Sequence, residues 1–274
     1  MHRYTHPRVA DGAGALDAVI EPCKGPVAKA AGRVLRAASV DESATVARRS
    51  CLVLAPHPDD ETLGCAVSIM RRLEAGSAVH VAAVTDGGQW PPGRDRGANE
   101  TRRRAELAEA AGVLGLPATA LVHLGFADAG LAEVADDVTD AVRDLVRRLD
   151  PDDVLATDVH DPASDHAVVG TAARRALAGT SSRLLAYPIH QYRRPGALLR
   201  TVRGSGRPVC VRTEGFGPRK GRALSAFRSQ LATTGDPAEA ADDAAGLTPS
   251  FLANFTGGRE IFFPILHGSP GSER

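Results

Sequence analysis

The stretch LVLAPHPDDETLG, Leu52 to Gly64, crowds His57, Asp59, Asp60 and Glu61 into five positions. Adjacent carboxylates repel one another, and no lysine or arginine stands within the stretch to offset them. A metal ion meets that need. His57 and Asp60 lie three apart across a tight turn and can reach one ion, and His166 completes a set of two histidines and one carboxylate. Catalytic zinc sites use three protein ligands and leave a fourth position to water or substrate. Non-haem iron takes similar ligands, so zinc (Zn2+) is expected, with another divalent metal such as Fe2+ as the alternative. Asp59 is left beside the metal, where a carboxylate that does not ligate can act as general base. The chemistry open to this set is metal-assisted hydrolysis of an amide. The competing reading is that Asp59 or Asp60 merely caps the helix that follows, and the segment alone favours it. The second His/Asp cluster, DVHDPASDH from Asp158 to His166, reverses that preference.

These residues need a frame. Short apolar runs predict strands over Cys51–Ala55, Ala78–Val84, Ala120–Leu124, Asp153–Thr157 and Leu184–Tyr187. Helical spacing predicts helices over Glu61–Ala75, Glu100–Leu114, Leu131–Leu149 and His166–Leu177. Such alternation indicates an α/β fold: a Rossmann-like, doubly wound, mostly parallel sheet with helices on both faces. Beyond Tyr187 the alternation weakens to strands over Arg207–Arg212 and Glu260–Phe263 and a helix over Lys220–Leu231, read as a C-terminal α+β extension on the same sheet. Open α/β sheets bind ligands outside the carboxyl ends of their strands. Four such ends carry polar segments here: His57–Glu61, Thr85–Gly88, Gly125–Asp128 and Asp158–Asp161, the last followed by His166. The glycines of TDGG match no phosphate-binding motif. His80 and His123 are expected in packing or at the surface.

The domain reading is an N-terminal extension over 1–48, one catalytic domain over 49–265, and a disordered tail over 266–274. Val27–Ala38 could form one amphipathic helix, and Asp236–Gly246 is acidic, alanine-rich and expected to be exposed. The 274 residues are 43% apolar and 24% charged with zero formal net charge, which argues against a nucleic acid or an anionic membrane as partner. Arg102, Arg103 and Arg104 are flanked by Glu100 and Glu106 and read as a solvated helix face. Four cysteines without a C-x-x-C pair make a disulfide framework improbable. No apolar signal-peptide core and no run of 18 apolar residues occur, so a cytoplasmic location without a membrane span is expected.

The motifs APHPDDETLGC after the first strand, TDG after the second, Arg103-x-x-Glu106, LGFADAGL after the third and the later Asp165–His166 resemble the LmbE/PIG-L family of zinc-dependent N-acetylglucosamine deacetylases. The resemblance covers roughly residues 50 to 190 and continues more weakly through KGRALSAFRSQ and EIFF. It implies zinc on His57, Asp60 and His166, Asp59 as general base, and Arg103 and Asp128 on sugar hydroxyls. It also implies a small-molecule amino-sugar substrate of the N-acetylglucosaminyl type, such as a glycoconjugate or natural-product intermediate; homo-oligomerisation stays open. One departure stands out. The family commonly writes H-P-D-H before its third ligand, and this chain has Ala163-Ser164-Asp165-His166. The missing histidine polarises the carbonyl or protonates the leaving amine. His160 is the expected catalytic stand-in if the Asp161–Pro162 turn folds back, and His190 in YPIHQY is the other candidate. Two alternatives follow: a metal- and sugar-binding protein with lost or weak catalysis, or an amidase for a larger acyl group with Trp90 against the substrate.

Overall fold

The computed structural model describes residue 35, residues 37–231 and residues 246–266. Most of Val27–Ala38, nearly all of Asp236–Gly246 and the tail beyond residue 266 lie outside the described residues.

Among the described residues, eight strands make one sheet: β1 (Val40–Asp41), β2 (Cys51–Ala55), β3 (Val79–Thr85), β4 (Leu121–Phe126), β5 (Asp153–Ala156), β6 (Arg183–Ala186), β7 (Val209–Arg212) and β8 (Arg259–Ile265). Their spatial order is β1-β7-β8-β6-β5-β2-β3-β4. Pairing is parallel from β6 through β5 and β2 to β4, and again between β1 and β7, while β8 runs antiparallel to both its neighbours. The expected α/β class holds, with β7 and β8 joined to the same sheet. The two-residue β1 was not expected, being too short to carry a pattern.

The helices are α1 (Ser43–Ala47), α2 (Asp60–Glu74), α3 (Arg96–Leu114), α4 (Ala135–Leu149), α5 (Ser164–Ala176), α6 (Pro195–Arg203), α7 (Gly217–Leu224) and α8 (Pro249–Leu252). Three boundaries differ from expectation for local reasons. α3 begins before Glu100 because Asp95 accepts the Ala98 N–H at 2.8 Å as N-cap. The stretch from Leu131 opens with a 3₁₀ turn before α4. α7 starts at Gly217, with a proline in its first turn, and stops at Leu224, well short of Leu231.

Strand side chains alternate between two cores. Cys51 and Val53 of β2 pack with Leu63, Ile69, Leu107 and Phe227 from α2, α3 and the segment after α7. Leu52 and Leu54 face the other way, onto Val138, Val142, Val169 and Ala173 of α4 and α5. So α2 covers one face of the sheet and α5 the other. Between them, β2 and β5 are parallel neighbours whose chains then wind in opposite directions, β2 toward β3 and β5 toward β6. That is the switch point where ligands collect in this architecture.

Two buried networks set the frame. At the amino ends of the central strands, Asp153 accepts from Arg49 (2.8 Å), Arg72 (2.7 Å) and Arg183 (3.0 Å). Beside α2, Lys220 donates to Leu63 O (2.7 Å) and Glu260 Oε1 (2.8 Å), and the Glu260 carboxylate accepts Val67 N–H and Ser68 N–H at 2.9 Å each. Gly64 lets Tyr187 lie directly on α2: a Cβ there would come within 2.4 Å of the ring. Tyr187 in turn donates its hydroxyl to Leu54 O at 2.7 Å. No helix among the described residues is long and apolar enough to cross a membrane.

Candidate active site

His57 leaves the end of β2, Asp60 opens α2, and His166 stands in the first turn of α5. Adjacent parallel strands therefore bring two segments, over a hundred residues apart in the chain, to one cleft. Asp60 Oδ2, His57 Nδ1 and His166 Nε2 form a triangle with edges of 3.2, 3.3 and 3.6 Å. Ligands about 2.0–2.1 Å from a tetrahedral ion stand about 3.3 Å apart, so this donor set fits a divalent cation. The outer ring nitrogen of His57 is hydrogen-bonded as in metal-bound histidines, and that of His166 faces a carboxylate beyond hydrogen-bond distance. His57 Nε2 lies 3.1 Å from Asp128 Oδ1 and 3.6 Å from Asp165 Oδ2, and His166 Nδ1 lies 3.7 Å from Asp161 Oδ2.

Asp59 takes the N-cap position of α2 but makes no capping bond. Its Oδ2 instead accepts from Arg103 Nη2 at 3.2 Å. Its backbone sits at φ 124°, a strained region for a residue with a Cβ that costs about 1–3 kcal/mol. Hydrogen bonds hold it there: Glu61 Oε2 accepts the Asp59 N–H at 3.0 Å, and Asp59 O accepts Thr62 N–H and Leu63 N–H. Arg103 also donates to Pro58 O (2.7 Å) and Gly87 O (3.2 Å), clamping the β2 and β3 loops together.

Burial and close charges shift the acids and imidazoles of the cleft in different directions. Burial pushes the Asp59 carboxyl up to about 8, with Arg103 opposing and Asp60 and Glu61 adding to the rise. Burial likewise lifts Glu61 to about 7. Burial alone would lower His57, but hydrogen bonds to Asp128, Asp165 and Asp60 outweigh it and hold the imidazole well above the usual histidine range. His166 is raised too, since Asp60 and Asp161 outweigh its burial. Asp60 is held low despite burial by His166 and His57.

Several expectations need correction or relocation. His160 does not line the cleft; its Nδ1 is bonded to Asp158 Oδ1 at 2.7 Å, because the turn runs toward α6 rather than back over the site. His190 does line it. Both Asp128 oxygens meet protein donors, His57 Nε2 and the Gln89 N–H (2.8 Å), so Asp128 stands behind His57. The Arg102–Arg104 run is not a uniform solvated face, since Arg103 is buried at the site and Arg104 pairs with Asp86. His123 bonds Asp86 at 2.8 Å.

The cleft encloses about 240 Å³. Beyond the polar cluster its walls are Leu63, Trp90, Ile189, Leu247 and Phe251, with Gln89, Gln230 and Arg193 between them. Arg193 lies over the Phe251 ring at 4.2 Å. The sequence reading missed the wall residues Arg193, Gln230, Leu247 and Phe251. They come from short helical turns and loops after β6, too brief for periodicity to show which side chains face the cleft.

Comparisons agree with this geometry. Residues 52–177 match the family described as PIG-L, GlcNAc-PI de-N-acetylase. The uncharacterized deacetylase YaiS of Escherichia coli (strain K12) is 29% identical over 127 residues, 44% of this chain and 64% of YaiS, so the match spans under two thirds of that relative. The structure of the conserved protein TT1542 from Thermus thermophilus is 28% identical with a TM-score of 0.56, covering 82% of this chain and 99% of that one. N,N'-diacetylchitobiose deacetylase from Pyrococcus horikoshii, solved with its inhibitor MPG, shares the fold at 20% identity and a TM-score of 0.59, covering 98% and 99% of the two chains. Residues 52–177, just under half of the chain, thus form a PIG-L (LmbE-like) family match, and they carry His57, Asp59, Asp60, Asp128 and His166.

Proposed function

We infer that the protein is a metal-dependent N-deacetylase, a hydrolase that removes the acetyl group from an N-acetylglucosaminyl-type conjugate. The observation that carries this reading is the His57–Asp60–His166 triangle with a strained, non-capping Asp59 in the same cleft. A divalent ion held by those three residues, zinc first among the choices, would polarise the amide carbonyl and acidify water. The chain's own groups do the rest. Asp128 accepts the Nε2 proton of His57 and leaves the Nδ1 lone pair toward the ion, while Asp161, 3.7 Å from His166 Nδ1, favours a proton on that outer nitrogen by its charge alone. Arg103 keeps the Asp59 carboxylate turned into the cleft. Asp59 takes the proton of the attacking water and returns it to the departing amine nitrogen. Arg103 and Asp128 thus act first on Asp59 and His57, and any contact with sugar hydroxyls is additional.

The test is turnover of N-acetylglucosamine conjugates. Chelation should abolish it and added zinc restore it. Asp59→Asn should lower kcat by about 10²–10⁴-fold with metal still bound. An unchanged rate in metal-replete Asp59→Asn protein sinks the mechanism. The apolar wall of Trp90, Leu247 and Phe251 favours one variant of this reading, hydrolysis of a longer acyl chain. Faster turnover of an N-octanoyl than an N-acetyl glucosamine conjugate would establish it.

A further inference from the structure

We propose that His190 supplies the hydrogen bond to the carbonyl oxygen that Ala163 cannot, donating a ring N–H to the oxyanion formed when water adds to the amide. The inference rests on the N-deacetylase reading of the same cleft. Asp161 provides the geometry. Its Oδ1 accepts the Ala163 N–H at 3.0 Å and its Oδ2 accepts the His190 N–H at 3.2 Å. One carboxylate therefore ties the backbone at 190 to the backbone at 163, and the imidazole at 190 is the one of the two side chains that lines the cleft.

The His190 ring lines the cleft with its centroid 4.7 Å from that of His166, at 63° to it. Phe251 stacks on it at 6.0 Å and 18°. The hydrogen-bonding of the ring is what sets it apart. His57, His166, His160 and His123 each have a ring nitrogen within 4 Å of a carboxylate. Neither ring nitrogen of His190 has such a partner among the described residues. It is an oriented donor held in place by its backbone and by ring packing, with no carboxylate among the described residues to donate to.

In the step this serves, the water oxygen bonds to the carbonyl carbon and its proton passes to Asp59. The C=O π pair moves onto oxygen, where His190 N–H meets it. On collapse the C=O bond re-forms, the C–N bond breaks with its pair on nitrogen, and the Asp59 proton goes to that nitrogen. Amide and water give acetic acid and amine, and His190 ends with its own proton.

The experiment compares wild type, His190→Ala, His190→Gln and the double variant Ala163→His/His190→Ala, all zinc-loaded. Two readouts are taken: hydrolysis of an N-acetylglucosamine conjugate, and binding of a glucosamine methylphosphonamide whose tetrahedral anion imitates the adduct. The expected result is a kcat loss of about 10²–10³-fold in His190→Ala with little change in KM or zinc content. Gln, which keeps an N–H, should recover part of it, and histidine at 163 should recover more. Phosphonamide affinity should fall at least tenfold in His190→Ala. Wild-type kcat and phosphonamide affinity in His190→Ala overturn the proposal and leave the deacetylase reading standing. If wild type hydrolyses no amide, that reading fails, and phosphonamide binding alone decides the role of His190.

Discussion

Burial and neighbouring charge set the two adjacent acids of the cleft apart. Asp59 and Asp60 are adjacent, yet burial drives one up while two imidazoles hold the other down. This split matches the proposed roles, with Asp59 exchanging a proton and Asp60 staying ionised toward a cation. The raised imidazoles have a consequence for metal uptake. A protonated ring offers no lone pair, so an ion must displace the protons that the neighbouring carboxylates favour on His57 and His166. Affinity should therefore rise with pH through the range above the ordinary histidine value and fall as pH drops. The expected gain is about one to two decades per pH unit. Calorimetric titration in buffers of different ionisation enthalpy should show proton release on zinc binding.

At the scale of elements, α2 carries the whole acidic motif at its amino end, and its position is set from far along the chain. Lys220 and Glu260 reach into the helix at Leu63, Val67 and Ser68. This accounts physically for the weak motif matches near α7 and β8, which lie outside the matched family segment. Glu260→Ala would strand a buried ammonium and two helix N–H groups. The expected loss is about 3–5 kcal/mol of stability, measurable by urea denaturation. Zinc affinity should fall with it, because the first turn of α2 shifts.

The whole molecule separates stability from chemistry along the strand direction. Asp153 and its three arginines sit at the amino ends of β2 and β5, and the ligand cluster sits at the carboxyl ends, a strand length of about 13 Å away. Asp153→Ala should lower the melting temperature by several degrees, with zinc affinity and kcat/KM of the folded protein unchanged. A drop in zinc affinity equal to that of Glu260→Ala would show that the two ends are mechanically coupled.

Periodicity made the β2 to β6 core of the fold legible, because buried parallel strands and amphipathic helices each leave a distinct spacing. The strand-end rule then located His57, Asp59, Asp60 and His166 as one cluster, since a parallel sheet places all its carboxyl ends on one edge. Short or irregular pieces escaped: β1, α6 and the walls contributed by Leu247 and Phe251 carry too few residues for any period. So did every choice between equivalent side chains. Sequence separation put His160 nearer to Ala163 than His190, but Asp158 holds the first outside the cleft and Asp161 holds the second inside it. Residue types and local pattern determined which chemistry is available and on which edge of the sheet. Only the tertiary structure decided which histidine enters the cleft and which partner each acid meets, because those are contacts between segments that the chain itself does not place in register.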